Sequence, residues 1–494
     1  MNRPDVIIFN PDQWRGDVLG HMGDPAAVTP TLDEAVNSDF VSFRSAFCQN
    51  PVCTPSRCSF MTGWYPHVRG HRSMFHMLQP EEPCLLKVLK DDGYHVWWGG
   101  KNDLIPAQNG FDSYCDVKHA PADPTERGTH PLHHDLWTNS QSPPPPNYYS
   151  MFVGKLSAQT ASSDKYGVYY DGDWAHVLAA EEHIRTAPLD KPLCVYLPLN
   201  FPHPPYGVEE PYFSSIDRSK LPPRTPTPTD WSTKPALLRG VHERQNLTSM
   251  DDAQWTELRA TYYGMCARVD AQFAVILQAL RDSGRYDNAA VFFFSDHGDF
   301  TGDYGLVEKT QNTFEDCLTR VPFLVKPPAG AKGHINNALV ELIDMPATVY
   351  DYCGISPTYT HFGKSLRPLL EGQSDEHRDA VFCEGGRLDG EMHASESQTG
   401  IQDAQSSPYW PRVGLQQYIP EHSKGAMVRT HEFKYVRRLY ESDELYDLLA
   451  DPDEQTNQIN NPAYSQPLSQ LRERMLDWYQ STCDVVPHNA DKRT

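Results

Sequence analysis

The segment Pro51-Val-Cys-Thr-Pro-Ser-Arg-Cys-Ser-Phe-Met-Thr-Gly places a thiol, two hydroxyls and a guanidinium within five residues. Thr54 suits an N-cap, Pro55 the first helical position and Gly63 the stop, so Cys53 is expected at the mouth of a short helix. Free N–H groups at a helix start attract anions, and Arg57 adds a planar cation within a turn. On these features Cys53 reads either as a low-pKa thiolate or as a buried structural cysteine. Cys58 has no special neighbour and reads as structural.

A second set of residues follows four mostly apolar runs of buried-strand length. Asp12 and Gln13 follow residues 6–10, Lys101 and Asp103 follow 95–99, His203 follows 193–199, and Asp296 and His297 close 289–295. In open α/β sheets ligands bind beyond the carboxyl ends of strands, so these side chains are expected to converge. Asp12, Gln13, Asp296 and His297 offer three oxygen-type ligands and one imidazole. Oxygen donors suit Ca²⁺, Mg²⁺ or Mn²⁺, and the imidazole tilts the set toward Mn²⁺ or Zn²⁺.

The elements that must position these residues alternate strand-like and helical patterns over three quarters of the chain. That reads as an α/β fold with a large, mostly parallel central sheet flanked by helices. The best helix spans 251–283, with Trp255, Leu258, Tyr262, Val269, Phe273, Ile276, Leu277 and Leu280 mostly on one face and Gly284 as its stop. Residues 117–165, with Pro143–Pro146, and 202–235, with nine prolines, read as long surface excursions. Residues 371–379 read as a linker between a catalytic domain at 1–370 and a smaller C-terminal α+β subdomain at 371–494. Within the latter, 433–436 is the clearest strand and 468–479 the last helix.

Composition excludes classes. The 494 residues carry 43 Lys plus Arg against 65 Asp plus Glu, a net charge of −22 that repels nucleic acid and anionic membranes. No apolar run approaches the roughly 20 residues of a membrane span. Eleven scattered cysteines and a strand-like start without a signal pattern point to a cytoplasmic setting.

Together the motifs resemble those of the type I, formylglycine-dependent sulfatases of the alkaline phosphatase superfamily, in order over nearly the whole chain. Cys53-Thr-Pro-Ser-Arg57 matches C-x-P-x-R, continued by Met61-Thr-Gly-Trp-Tyr-Pro. Asp12-Gln13, Gly100-Lys101, Pro202-His203-Pro-Pro-Tyr, Ser295-Asp-His-Gly298, and Lys309 with Glu315 and Arg320-Val-Pro match the other landmarks. Phe433-Lys-Tyr-Val and the stretch from Glu444 to Glu454 resemble the C-terminal segments. Two departures stand out: Asp103 replaces the histidine of G-K-x-H, and Gly302-Asp303-Tyr304 stands where G-D-H is usual.

The resemblance implies a sulfate monoester hydrolase whose Cys53 becomes Cα-formylglycine through a maturation enzyme. It implies one divalent cation, usually Ca²⁺ with Mn²⁺ or Mg²⁺ as alternatives, held by Asp12, Gln13, Asp296, His297 and residue 53. Arg57 orients the nucleophile, Lys101 and Lys309 bind the sulfuryl oxygens, and His203 with Lys309 protonates the leaving alcohol. Asp103 is expected to take the proton that the absent histidine takes in relatives. The substrate class implied is a small sulfated ligand or oligosaccharide end, such as a glycosaminoglycan fragment. The acidic exterior favours exo-action on such ligands over long polyanions. Residues 119–134 and 389–417, with Tyr409 and Trp410, are expected pocket walls. A phosphonate monoester hydrolase or phosphodiesterase on the same scaffold, or a non-catalytic sulfate-ester-binding protein, are the alternatives.

Overall fold

The computed structural model describes residues 3–121, 151–156, 167–188, 190–394, 396, 409–416, 422–488 and 492–493. Pro143–Pro146, and most of the expected excursion at 117–165 and pocket wall at 119–134, lie outside them, as do 395, 397–408 and 417 of the other wall.

Eight strands form the central sheet, in the order His334–Glu341, Val41–Phe47, Phe323–Lys326, Ala289–Phe294, Asp5–Asn10, Leu193–Pro198, His95–Gly99 and Val117–His119. Neighbours run parallel except Phe323–Lys326, which is antiparallel to both strands beside it. The first strand shows why the sheet is buried on both sides. Ile7 and Phe9 pack into one core, against the long helix, and Val6 and Ile8 into the other. A strand apolar at successive positions has no face for water and must be covered twice.

The long helix runs Asp252–Asp282, with Asp251 and Gln254 forming a reciprocal capping box and Gly284 at φ +70° just beyond its end. Residues 202–235 are not structureless: a strand at Tyr206–Val208 and a helical turn at Tyr212–Ser215 lie within them. Val117–His119 is likewise an edge strand of the main sheet. Tertiary pairing makes these short elements, and local composition gives no sign of them.

A separate antiparallel sheet comprises Val381–Gly385, Gly425–Arg429, Phe433–Arg438 and Glu444–Asp447. The helix Ser465–Thr482 buries Leu471, Met475 and Trp478 against it, with Trp478 stacked on Phe382 at 4.5 Å. The stretch leading into it is anchored at Arg378, which pairs with Glu341 at 2.9 Å and with Asp344.

Candidate active site

Sheet register brings the four strand ends together. Asn10 lies opposite Pro198, and its side chain donates to the Phe294 carbonyl at 3.0 Å. The residues that follow therefore emerge at one edge, as the doubly wound topology requires. Asp12, Cys53, Asp296 and His297 each offer a ligand atom, and these atoms all lie within 4.8 Å of one another. All four side chains are fully buried.

Cys53 is the first residue of the helix Cys53–Thr62, which differs from the expected capping. Val52 is the N-cap without a side-chain bond, and Thr54 sits inside the helix with its hydroxyl donating to the Met74 carbonyl at 3.4 Å. Asn50 takes over the local bonding, accepting from the Val52 N–H at 3.0 Å. Cys53 Sγ lies 3.1 Å from His297 Nε2, 3.5 Å from Asp12 Oδ1 and 3.7 Å from Lys101 Nζ. Burial, reinforced by the Asp12 carboxylate, pushes the thiol far above its ordinary pKa. The helix start alone does not offset that burial.

His297 Nδ1 faces the Gly298 carbonyl at 2.9 Å. A carbonyl only accepts, so the proton sits on Nδ1 and the Nε2 lone pair turns into the cluster. An imidazole lone pair beside two buried carboxylates is a donor set that fits a divalent cation. Burial lowers the His297 pKa, which keeps that lone pair free. Burial alone would raise the Asp12 pKa, but Lys101 foremost among nearby cations holds it well below the carboxylate range.

Arg57 is fully buried and clamps both carboxylates, from Nε to Asp296 at 2.9 Å and from Nη2 to Asp12 at 3.1 Å and Asp296 at 2.8 Å. Its work in the structure is to hold the acidic pair together. Lys101 bridges Asp12 and Asp103, the latter at 2.8 Å. On the opposite side Lys309 donates to Gln13 Oε1 at 2.6 Å and to His203 Nε2 at 2.9 Å. His203 Nδ1 faces the Pro204 carbonyl at 2.6 Å, so its proton lies there and Nε2 accepts from the ammonium.

Gln13 takes a left-handed backbone conformation, φ +68°, which a non-glycine residue adopts only when its surroundings impose it. Its N–H donates to Asp296 Oδ1 at 3.1 Å. Its amide NH₂ donates to Asp299, a residue the sequence reading passed over. Asp299 also accepts from Tyr206 OH at 2.9 Å, and that hydroxyl in turn accepts from the Glu308 N–H at 2.9 Å. Burial raises the Asp299 pKa to about 6 against the hydrogen bonds it receives. Asp173 was also passed over; it accepts from the backbone of Asn200 and Phe201 at 2.9 Å and so anchors the loop carrying His203. Their signal was a buried-type carboxylate two residues after His297 or in a helix's first turn, which is too common to stand out.

The two departures separate. Asp103 lies at the site through Lys101, whereas Tyr304 is buried away from it, its hydroxyl donating to the Asp453 carbonyl at 2.9 Å. Of the two aromatic wall residues, Tyr409 faces His203 with ring centroids 6.3 Å apart, and Trp410 turns to Arg244.

A buried carboxylate–imidazole cluster flanked by two lysines, at the strand ends of such a sheet, has the layout of a hydrolase for anionic esters. A model of the sulfatase family matches residues 4–355, and this chain belongs to that family. Arylsulfatase K of Xenopus laevis is 23% identical over 468 residues, spanning 91% of this chain and 78% of that protein. The phosphonate monoester hydrolase of Agrobacterium radiobacter superposes with a TM-score of 0.73 at 23% identity, covering 97% of this chain and 96% of the other. A protein solved with its substrate D-glucosamine-2-N,6-O-disulfate superposes with a TM-score of 0.70 at 17% identity, covering 99% of this chain and 100% of the other. The family model and the arylsulfatase relatives make the chain a sulfuric ester hydrolase.

Proposed function

We propose that the protein hydrolyses sulfate monoesters at the end of a sulfated carbohydrate, such as a glycosaminoglycan fragment, with residue 53 acting after conversion to formylglycine by a maturation enzyme. The observation that carries this is the setting of Cys53: a buried side chain ringed by Asp12, His297 and Lys101 within 3.7 Å. Formylglycine there supplies a hydrated aldehyde, one hydroxyl to attack sulfur and a second whose deprotonation expels sulfate. Asp12, Gln13, Asp296, His297 and residue 53 would hold a divalent cation, Ca²⁺ favoured over Mn²⁺ or Mg²⁺, which when bound would make the attacking hydroxyl more acidic and polarise the sulfuryl oxygens.

The chain's own residues do the rest. Lys101 and Lys309 approach from opposite sides and neutralise nonbridging oxygens as preorganised positive groups. Arg57 holds the two carboxylates at a fixed separation. The departing alcohol takes its proton from the Lys309–His203 pair, whose 2.9 Å contact shares that proton. Asp103, tied to Lys101, receives the proton released when sulfate leaves. The acidic exterior repels long polyanions and favours exo-action, and the eleven unpaired cysteines support a reducing, cytoplasmic setting.

The test is coexpression with a formylglycine-generating enzyme, mass spectrometry of the Cys53 peptide, and sulfate release from defined sulfated saccharides, aryl sulfates and phosphonate esters. Conversion of Cys53 with release from saccharides is expected, as is complete loss in Cys53→Ala. Phosphonate turnover exceeding that of every sulfate would move the protein to the phosphonate hydrolases. An unconverted thiol in active enzyme would end the formylglycine reading.

A further inference from the structure

A second group of buried polar side chains begins three residues along the chain from Lys309. Asn312 donates from its side chain to the Ser423 carbonyl, and the Arg387 N–H lies 3.4 Å from the His422 carbonyl. His422 is 1% exposed, yet among the described residues neither of its ring nitrogens has a hydrogen-bond partner. Arg387 is 4% exposed and, among the described residues, donates to the carbonyl oxygens of Glu391 at 3.3 Å and of Gln416, with no partner there for its Nε. Among the described residues no carboxylate forms an ion pair with it. Ser423 Oγ and Gln416 Nε2 are buried without partners among the described residues as well.

Two more guanidiniums border this group. Arg72 is paired with Glu391 at 2.5 Å. Arg412 lies 3.7 Å from Glu396 and 3.8 Å from Glu308, and over the Tyr409 ring that faces His203. Glu308 also pairs with Lys309 at 2.9 Å. Burial, and then Arg387, Arg72 and Arg412, bring the His422 pKa down to about 3, leaving a neutral ring with one N–H to give. An unpaired buried guanidinium beside an unsatisfied imidazole is costly in an empty protein, and an anion removes both deficits at once. Full burial is no objection, since Cys53 is equally inaccessible.

We propose that Arg387 and His422, backed by Arg72 and Arg412, form a second anion subsite. It takes a carboxylate or a second sulfate carried by the same saccharide as the scissile ester. This rests on the carbohydrate sulfatase reading and narrows the substrate to doubly anionic saccharides. The guanidinium fork pairs with two oxygens of a planar or tetrahedral anion, and the imidazole N–H adds a third contact. A neutral sugar leaves the Arg387 guanidinium and the His422 imidazole without that partner, which is the strongest form of discrimination a pocket has.

The experiment uses matured, Ca²⁺-loaded enzyme and three methyl glycosides with the sulfate ester at one common position. One carries a uronate carboxylate, one a second sulfate, and one is otherwise neutral. The expected result is that one dianionic glycoside exceeds the neutral one by roughly 100-fold in kcat/KM. Arg387→Gln should erase roughly 30-fold of that preference, with Arg387→Lys in between. The better of the two dianions tells carboxylate from sulfate. Calorimetry with sodium glucuronate and with glucose 6-sulfate reads the subsite without turnover, and at least one should bind wild type roughly tenfold tighter than Arg387→Gln. Melting temperatures confirm that both variants are folded. Equal kcat/KM for neutral and dianionic glycosides, or equal calorimetric affinity in wild type and Arg387→Gln, overturns the subsite and leaves the sulfatase reading standing. No sulfate release from any substrate, with the affinity difference intact, overturns the sulfatase reading and supports the subsite.

Discussion

Replacing Asp299 with Asn tests how the site is held in shape. The carboxylate accepts from the Gln13 amide, from Tyr206 OH at 2.9 and 3.0 Å, and from the Thr301 N–H and hydroxyl at 2.6 and 2.7 Å. An amide of the same shape keeps one acceptor and turns two N–H groups toward donors. Hydrogen bonds to a charged acceptor are worth about 1.5–3 kcal/mol each, so losing one or two costs about 1.5–6 kcal/mol of stability. The local effect matters more. With its amide NH₂ unclaimed, Gln13 can turn over, presenting NH₂ where Lys309 and a cation need oxygen. Support of this kind is worth about 10–100-fold in metal affinity, or about 1.4–2.8 kcal/mol. We expect kcat/KM on an aryl sulfate to fall by about 100-fold, as when a reacting group shifts by about 1 Å. Calorimetric Ca²⁺ titration of chelated enzyme should show the affinity loss directly, and Tyr206→Phe should show a smaller one. A lowered melting temperature with Ca²⁺ affinity and kcat/KM within about twofold of wild type would refute the argument and leave Asp299 a structural residue.

Three further outcomes are expected. Asp103→Asn should lower steady-state kcat by about tenfold or more, with Asp103→His recovering part of it; wild-type turnover in the Asn variant would remove Asp103 as the proton acceptor. A Cβ at Gly298 would lie 2.0 Å from the Cys317 carbonyl, so Gly298→Ala should cost about 1–3 kcal/mol or more in denaturant unfolding and displace His297; an unchanged unfolding midpoint would contradict this. Burial disfavours the charged form of Asp344, yet Arg378 overrides it and holds the pKa below the ordinary carboxylate value near 3.9. That stability is present above about pH 4 and lost as pH falls further, so Arg378→Met should cost about 3–5 kcal/mol at pH 7 and less in acid, as a melting profile against pH would show.

Much of the site was legible because its signals are local. Apolar runs of strand length followed at once by Asp12, Lys101, His203 or Asp296 predict a shared edge as soon as the sheet is known to be parallel. The capping of the Cys53 helix was misread because Thr54 and Pro55 fit a common start pattern, while Asn50, three residues earlier, does the bonding. The strand Tyr206–Val208 was hidden by the prolines around it, since its stability comes from pairing with Phe152–Lys155 rather than from its own composition.

The sequence by itself determined the class of fold, the place of Cys53 at a helix start and the identity of the charged groups, because strand period, spacing and residue chemistry are properties of short segments. Only the tertiary structure decided how those groups share their protons and partners. That Arg57 clamps Asp12 and Asp296, that Lys309 rests on Gln13 and His203, and that Asp299, Arg387 and His422 belong near the site all depend on contacts between residues tens to hundreds of positions apart. Distance in the chain carries no record of such contacts, and burial, which sets their strength, exists only after the chain has folded.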